Sequence, residues 1–358
     1  MPVAQNQRVY YAVNAVGFAP LGLPVLTAYL TTGISGYLAA KGVQSCSSNI
    51  NFQLEPVFQL GQLELYEQVE SIPAVEFTAE KVVDGRPLLE HLGSLGATAS
   101  TLAGRYNNSR VQIAIAYWPL TQDFASGTPL SITVMSGMYV NTINWNIPVQ
   151  GLVTESVTFV GNDKTWYNVP SGRLFTTGTQ FAGTESPYAT GVFPSTGTAQ
   201  RRQNVNMTNS LWPNEIPGIS GNNRNPTMSD GSYGAHIQNV SVSVNLGRQE
   251  LFELGKRGPY FRYASFPTEV TTTIEVTANE FGDNINAAQE STTNLSDQPI
   301  KICLDQGVTI DLGTRNKLRT VGTSGGDTGG GNVTTSYEYV NFNSLKVIAS
   351  GDPAGLTS

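Results

Sequence analysis

Charge is scarce in this sequence. Of 358 residues, 13% are Asp, Glu, Lys or Arg, about half the quarter that is usual for a globular chain. The few charges sum to −7, which argues against a protein that grips phosphates or reads a base sequence, since these need basic patches. Histidine is nearly missing, with His91 and His236 alone. His91 falls in a leucine-rich stretch and is expected at the surface or half-buried; His236 has no carboxylate or cysteine at a recognisable spacing. Two cysteines, Cys46 and Cys303, make neither a disulfide framework nor a Cys-x-x-Cys metal site, and are expected as buried, reduced thiols. The apolar run from 12 to 40 is interrupted by Pro20, Pro24 and several glycines. It falls short of the roughly 20 residues that span a bilayer, so no membrane insertion is expected. The N-terminus carries no basic and apolar signal-peptide pattern. No P-loop, His-Glu-x-x-His or dinucleotide fingerprint occurs. Gly-x-Ser-x-Gly around Ser324 lacks the strand and helix that a nucleophile elbow needs. A glutamate pair for glycoside hydrolysis has no motif behind it. The expectation is therefore no enzyme, no cofactor and no metal.

What fills the space is Gly, Ser, Thr and Asn, with 39% apolar residues, and the dominant period is two. In 74–82, Val75, Phe77 and Ala79 alternate with Glu76, Thr78 and Glu80. In 269–278, Val270, Thr272, Ile274 and Val276 alternate with Glu269, Thr271, Thr273 and Glu275. Such alternation marks strands with one face in a core and the other wet. Stretches 110–118, 131–140, 154–161 and 239–246 add further strands. The best helix candidate is 84–96, with Pro87 early and Gly93 or Gly96 as its stop; its counterpart at 281–291 is weaker. The glycine cluster 321–332 reads as a hairpin tip.

The chain also repeats itself. "FQLGQLELYEQVESIP" (58–73) and "FELGKRGPYFRYASFP" (252–267) agree at six of sixteen positions. Phe58, Leu60, Gly61, Tyr66, Ser71 and Pro73 meet Phe252, Leu254, Gly255, Tyr260, Ser265 and Pro267. Upstream, 49–54 resembles 239–244, with four extra residues in the second copy. A second block, 151–160, matches 331–340 at Gly, Val, Thr, Ser and Val. A duplicated domain follows. The copies differ in charge: Glu64, Glu67, Glu70, Glu76 and Glu80 crowd the first, while Lys256, Arg257 and Arg262 enter the second.

The run "SSNINFQLEPVFQLGQLELYEQVESIPAVEFTAEKVVDGRPLLEHL", followed by "YVNTINWNIPVQGLVTESVTFVGND", resembles bacteriophage major tail tube proteins. Gly151, Thr154, Glu155 and Ser156 match the family's turn, and the second copy keeps Gly331, Thr334 and Ser336 but has Thr335 for the glutamate. The resemblance implies a mainly-β fold of two tandem tube-like sandwiches. Each would carry a long hairpin contributing to a ring barrel and a short flanking helix. The expected organisation is an N-terminal arm (1–45), tube-like domain 1 (45–165), a Gly/Ser/Thr/Asn-rich insertion (166–234), tube-like domain 2 (235–350) and a C-terminal tail (351–358). It further implies a virion protein, assembled in the host cytoplasm, that self-associates into stacked rings and meets other tail proteins. The ring would be a trimer with pseudo-six-fold symmetry or a hexamer. Passing double-stranded DNA would not be bound specifically, and the candidates facing it are Glu64, Glu76, Glu80 and Glu275. The alternative is another virion ring component, of the neck, tail-completion or distal-tail kind. A secreted carbohydrate-binding β-protein is a poorer match, for want of a signal peptide.

Overall fold

The structure is a computed structural model. It describes residues 14–21, 38–95, 99–120, 129–168, 198–219, 234–280, 282–285, 295–326 and 331–349, with 9, 11, 97 and 328 as single positions. The fold is mainly β, as the alternation requires. The first half runs β1 (Asn14–Pro20), β2 (Leu38–Ala39), β3 (Val43–Asn51), β4 (Leu54–Phe58), β5 (Leu65–Glu70) and β6 (Ala74–Val82). Two short helices follow, α1 (Leu89–Leu92) and α2 (Leu102–Tyr106), then β7 (Val111–Tyr117), β8 (Ser131–Pro148), β9 (Thr154–Gly161) and β10 (Asp163–Asn168). The second half runs β11 (Ile237–Asn245), β12 (Gln249–Leu251), β13 (Phe261–Tyr263), β14 (Glu269–Thr277), β15 (Lys301–Cys303), β16 (Thr309–Asp311), β17 (Lys317–Ser324), β18 (Thr334–Phe342) and β19 (Lys346–Ile348).

One antiparallel sheet crosses both halves in the order β3-β6-β9-β8-β11-β14-β18-β17. The first four strands come from the first copy and the last four from the second. The order within each copy is the same, because β3 corresponds to β11, β6 to β14, β9 to β18 and β8 to β17. Register fixes these equivalences residue by residue. Ser45 opposite Glu80 matches Asn239 opposite Glu275, and Val140 opposite Phe159 matches Leu318 opposite Tyr339. Irregularities recur too: a register shift lies between Val43 and Ser45 and again between Ile237 and Asn239. Another lies between Val140 and Thr142 and again between Leu318 and Thr320. Strand β3 therefore maps onto β11 at the same spacing of 194 that relates 58–73 to 252–267. The four extra residues expected upstream do not exist; the Asn, Ser and Val runs of β3 and β11 resemble one another at an offset the ladders do not use.

Each copy builds its own second layer over the apolar face. In the first, β2, β1, β7, the early part of β8 and β10 form a sheet. Strand β8, 18 residues long, thus belongs to both layers. Phe18 of β1 packs on Phe159 at 5.5 Å between ring centres, and Phe77 lies 6.0 Å from the same ring. In the second copy, the small sheet β15-β16-β19 joins the segment 198–219, which lies within the stretch expected as insertion or loops. That segment buries Trp212 and Ile216 beside Ile302, Ile310 and Val347.

The helix expected over 84–96 is a single turn. Gly93 ends it where a side chain would strike Phe159, whose ring would lie 2.4 Å from an added Cβ. Most of 281–291 lies outside the described residues. Strands β17 and β18, on either side of the glycine cluster expected as a hairpin tip, pair antiparallel; residues 327, 329 and 330 of the cluster lie outside the described residues.

Candidate assembly surfaces

The alternation read in the sequence separates the two faces of the main sheet. Val75, Phe77 and Ala79 are buried, and so are Val240, Val242, Val244, Val270 and Ile274. Among the described residues the opposite face carries no packed layer over its middle. Across it run rows of small polar side chains, such as Ser156–Asn144–Ser243–Thr271 and Thr154–Asn146–Ser241–Thr273. Thr78 and Thr158 share a hydrogen bond at 3.1 Å within this carpet.

Three of the four acidic candidates lie on this face. Glu76 and Glu80 stand on β6, and Glu275, the equivalent of Glu80, stands on β14. Glu64 does not join them, being exposed in the connection between β4 and β5. The face also holds Glu269 and Glu338, and Arg319 pairs with both. Glu76, Glu80 and Glu275 form no ion pair among the described residues, so they carry the negative potential of this surface.

Among the described residues the sheet does not close on itself within one chain. Among the described residues β3 pairs only with β6, and β17 only with β18. These strands are the two ends of the eight-stranded order, and unpaired edges are sites for further pairing. The hairpins were expected to provide the joining edges. Within one chain β4–β5 and β12–β13 are two-stranded ribbons separate from the main sheet, because the chain leaves the sheet after β3 and β11 and returns only at β6 and β14.

The repeated phrase sits on those ribbons, and what repeats is largely exposed. Leu60 and Leu254 are fully open to solvent; Phe58, Tyr66, Phe252 and Tyr260 are each more than half exposed. Gly61 and Gly255 take φ of 98° and 83° with open space where a side chain would be. Glycine is there for the backbone of the turn, not for close packing. Ser265 donates to the Gly247 carbonyl at 2.8 Å, whereas the Ser71 carbonyl receives Arg257 at 3.3 Å. Pro73 and Pro267 precede β6 and β14, where the ribbons rejoin the sheet. Matched apolar side chains that no core explains mark a contact surface.

The two ribbons differ in what they touch. The second lies against the first copy. Phe261 meets the Tyr139 ring edge-on at 6.4 Å, and the Arg248 guanidinium sits 5.1 Å over the same ring. Arg248 also donates to the Val140 and Tyr106 carbonyls. Arg262, nearly buried, donates to Asn162 Oδ1 at 3.0 Å and pairs with Glu250. Lys256 pairs with Glu253 of its own ribbon. Arg248, Lys256, Arg257 and Arg262 are thus engaged within the chain. The first ribbon is exposed along its whole length.

The family-like turn has a structural role in the first copy. Glu155 is fully buried, and its carboxylate accepts the backbone N–H groups of Leu89 and Glu90 at 2.7 and 2.9 Å, at the start of α1. Burial first, and then the nearby Glu90 carboxylate, push its pKa up to about 7. Lys81, also buried, pairs with Asp84, and burial pulls its pKa down. His91, expected at or near the surface, is buried beside Glu90, because α1 is wedged under β9. Thr335 takes the place of Glu155 in the second copy. Of the two cysteines, Cys303 is buried and Cys46 partly so, and both are free thiols. His236 lines a shallow groove with Ile147 and Trp212.

No protein-family model and no curated protein matches the sequence. Among solved structures, a chain from "Cryo-EM structure of the anti-feeding prophage (AFP) baseplate, 6-fold symmetrised" aligns over 45% of this chain and 97% of its own. Identity is 8% and the TM-score 0.32. That likeness is slight. No helix of the described residues is long and apolar enough to cross a membrane.

Proposed function

We propose that this chain is a self-assembling structural component of a phage tail or tail-like particle, closing into rings of three that stack into a tube for DNA. One observation carries the reading: the joint between the two copies is a strand ladder whose halves recur, unpaired, at the ends of the sheet. Within the chain, β8 of the first copy pairs with β11 of the second. Strand β17 is the equivalent of β8, and β3 the equivalent of β11. A second chain placed by the same step pairs its β3 with the first chain's β17. Such a head-to-tail contact closes into a ring when its rotation divides a circle, and otherwise winds into a filament.

Applying the β8–β11 register gives the joint in detail. Val321 falls opposite Ile50, as Ile143 falls opposite Val244, and Ser324 falls opposite Ser47, as Asn146 falls opposite Ser241. Three chains of eight main-sheet strands each make a 24-stranded barrel. With strands about 4.8 Å apart and tilted roughly 40°, its backbone is about 48 Å across. A side-chain layer of about 5 Å, half the usual sheet spacing, leaves a bore of roughly 40 Å. The polar face looks inward in this arrangement, because the second layers occupy the other side. Glu76, Glu80 and Glu275 then repel passing phosphates weakly, within about 8–10 Å of the wall at physiological salt.

Electron microscopy of the purified protein tests this. Tubes or stacked rings with three chains per ring are expected. Six chains per ring, or monomers at high concentration, overturn the three-chain reading. Single rings that never stack favour a neck or terminator role.

A further inference from the structure

The contact of the second ribbon with the first copy has a counterpart that one chain alone cannot make. We propose that the first ribbon (β4–β5) docks on the second copy of a neighbouring chain, against Lys317 and Phe342, and that this contact fixes the order of copies around the assembly. The inference rests on the ring reading, since the neighbour is the chain whose β17 meets β3.

The spacing of 194 carries the second ribbon onto the first, and the ladder registers carry its seat onto the second copy. Phe261 becomes Glu67, and Tyr139, which it touches, becomes Lys317. Arg262 becomes Gln68, and its partner Asn162 becomes Phe342. Arg257 becomes Leu63, and Ser71 becomes Ser265. An aromatic edge contact inside the chain is thereby replaced by a carboxylate facing an ammonium. A hydrogen bond at the ribbon tip is replaced by a leucine approaching Phe266.

Surface exposure agrees at each position. Leu63 is fully exposed and Phe342 more than half exposed; Phe266 is open as well, and Lys317 and Glu67 are exposed. This accounts for the charge asymmetry between the copies. Glu64, Glu67 and Glu70 belong to the ribbon that meets Lys317, while Arg248 and Arg262 belong to the ribbon that meets Tyr139 and Asn162. An acidic ribbon in the second ribbon's seat would meet Glu76, which has no ion-pair partner among the described residues. The seat on the second copy instead offers Lys317, and its Glu269, opposite Phe342, is paired with Arg319. The two seats are therefore not interchangeable, and copies alternate around the ring.

The test uses the full chain. Glu67→Lys and Lys317→Glu each raise the protein concentration for half-assembly about fivefold, and the double swap restores it, as a direct pair requires. A parallel variant, Ser47→Cys with Ser324→Cys, reports the β17–β3 ladder by cross-linking between chains. Single variants that assemble like the wild type while the ladder still cross-links overturn the ribbon contact and leave the ring standing. Failure of the ladder to cross-link in assembled wild-type background overturns both. A double swap that stays as impaired as the singles also overturns the pairing.

Discussion

Replacing Glu155 by glutamine tests the account of the buried turn, because its effect changes sign with pH. The carboxyl is fully buried with a folded-state pKa near 7, raised from 4.5 by burial and by Glu90. The folded protein therefore holds the proton more tightly than the unfolded chain does. Below about pH 4.5 both states are protonated and this group costs nothing. As pH rises the unfolded chain releases its proton first, so stability falls until the folded carboxyl also ionises near 7. A shift of that size corresponds to about 3 kcal/mol. Glutamine carries no charge to desolvate, and its single oxygen still accepts one of the N–H groups of Leu89 and Glu90. The other N–H then faces an amide NH2, at a cost of about 1–3 kcal/mol. The expected outcome is a variant less stable than wild type at pH 4.5 and equal or better at pH 8. Its unfolding free energy should change little between those values. Urea unfolding followed by tryptophan fluorescence at five pH values measures this. Parallel pH profiles for the two proteins would refute a titrating Glu155.

Phe77→Ala, which empties the site beside Phe159, is expected to cost about 3–5 kcal/mol, read by the same unfolding assay. Gly61→Val leaves open space but forces a β-branched residue to φ near 98°, and should loosen the ribbon tip and hinder assembly without lowering the main unfolding transition. Arg262→Ala removes the tie to Asn162 and Gly161, so hydrogen exchange should quicken in β12 and β13 while β14 stays protected. Assembled wild-type protein should not retain double-stranded DNA. With Glu76, Glu80 and Glu275 all changed to lysine, retention should appear and fall steeply with salt through counterion release; salt-independent retention would count against a lumenal face.

Period-two alternation made most strands readable, including both faces of β6 and β14, since a half-buried strand has to alternate. The duplication was legible in Phe-x-Leu-Gly because the ribbon turn needs glycine and its tips stay apolar. The copies' upstream register was not. Strands rich in Ser, Asn and Val look alike at several offsets, and only ladder pairing decides among them. Strand β8 hid its length for another reason: it serves two layers, so Ile132–Met135 are buried on both faces, Gly137 takes a positive φ and an extra residue falls at Asn141 before alternation resumes at Ile143. Trp212 and Ile216 were missed inside a stretch whose Gly, Asn and Pro content reads as loop. Burial of Glu90, His91 and Glu155 gave no sequence signal either, because nothing in a local pattern says which glutamate a distant helix start will claim.

The paired irregularities in the ladders bear on how faithfully such a sheet assembles. A slip of one residue turns every side chain to the wrong face and corrects itself. A slip of two keeps each face intact, and a polar face built from Thr, Ser and Asn offers little to resist it. An extra residue in one strand changes that, because it fits opposite a single place in its partner. The offsets at Gln44 and Asn141, copied at Gln238 and Arg319, act as keys cut into otherwise interchangeable teeth. In the proposed ring, a chain added next to its copies would keep its place by backbone shape.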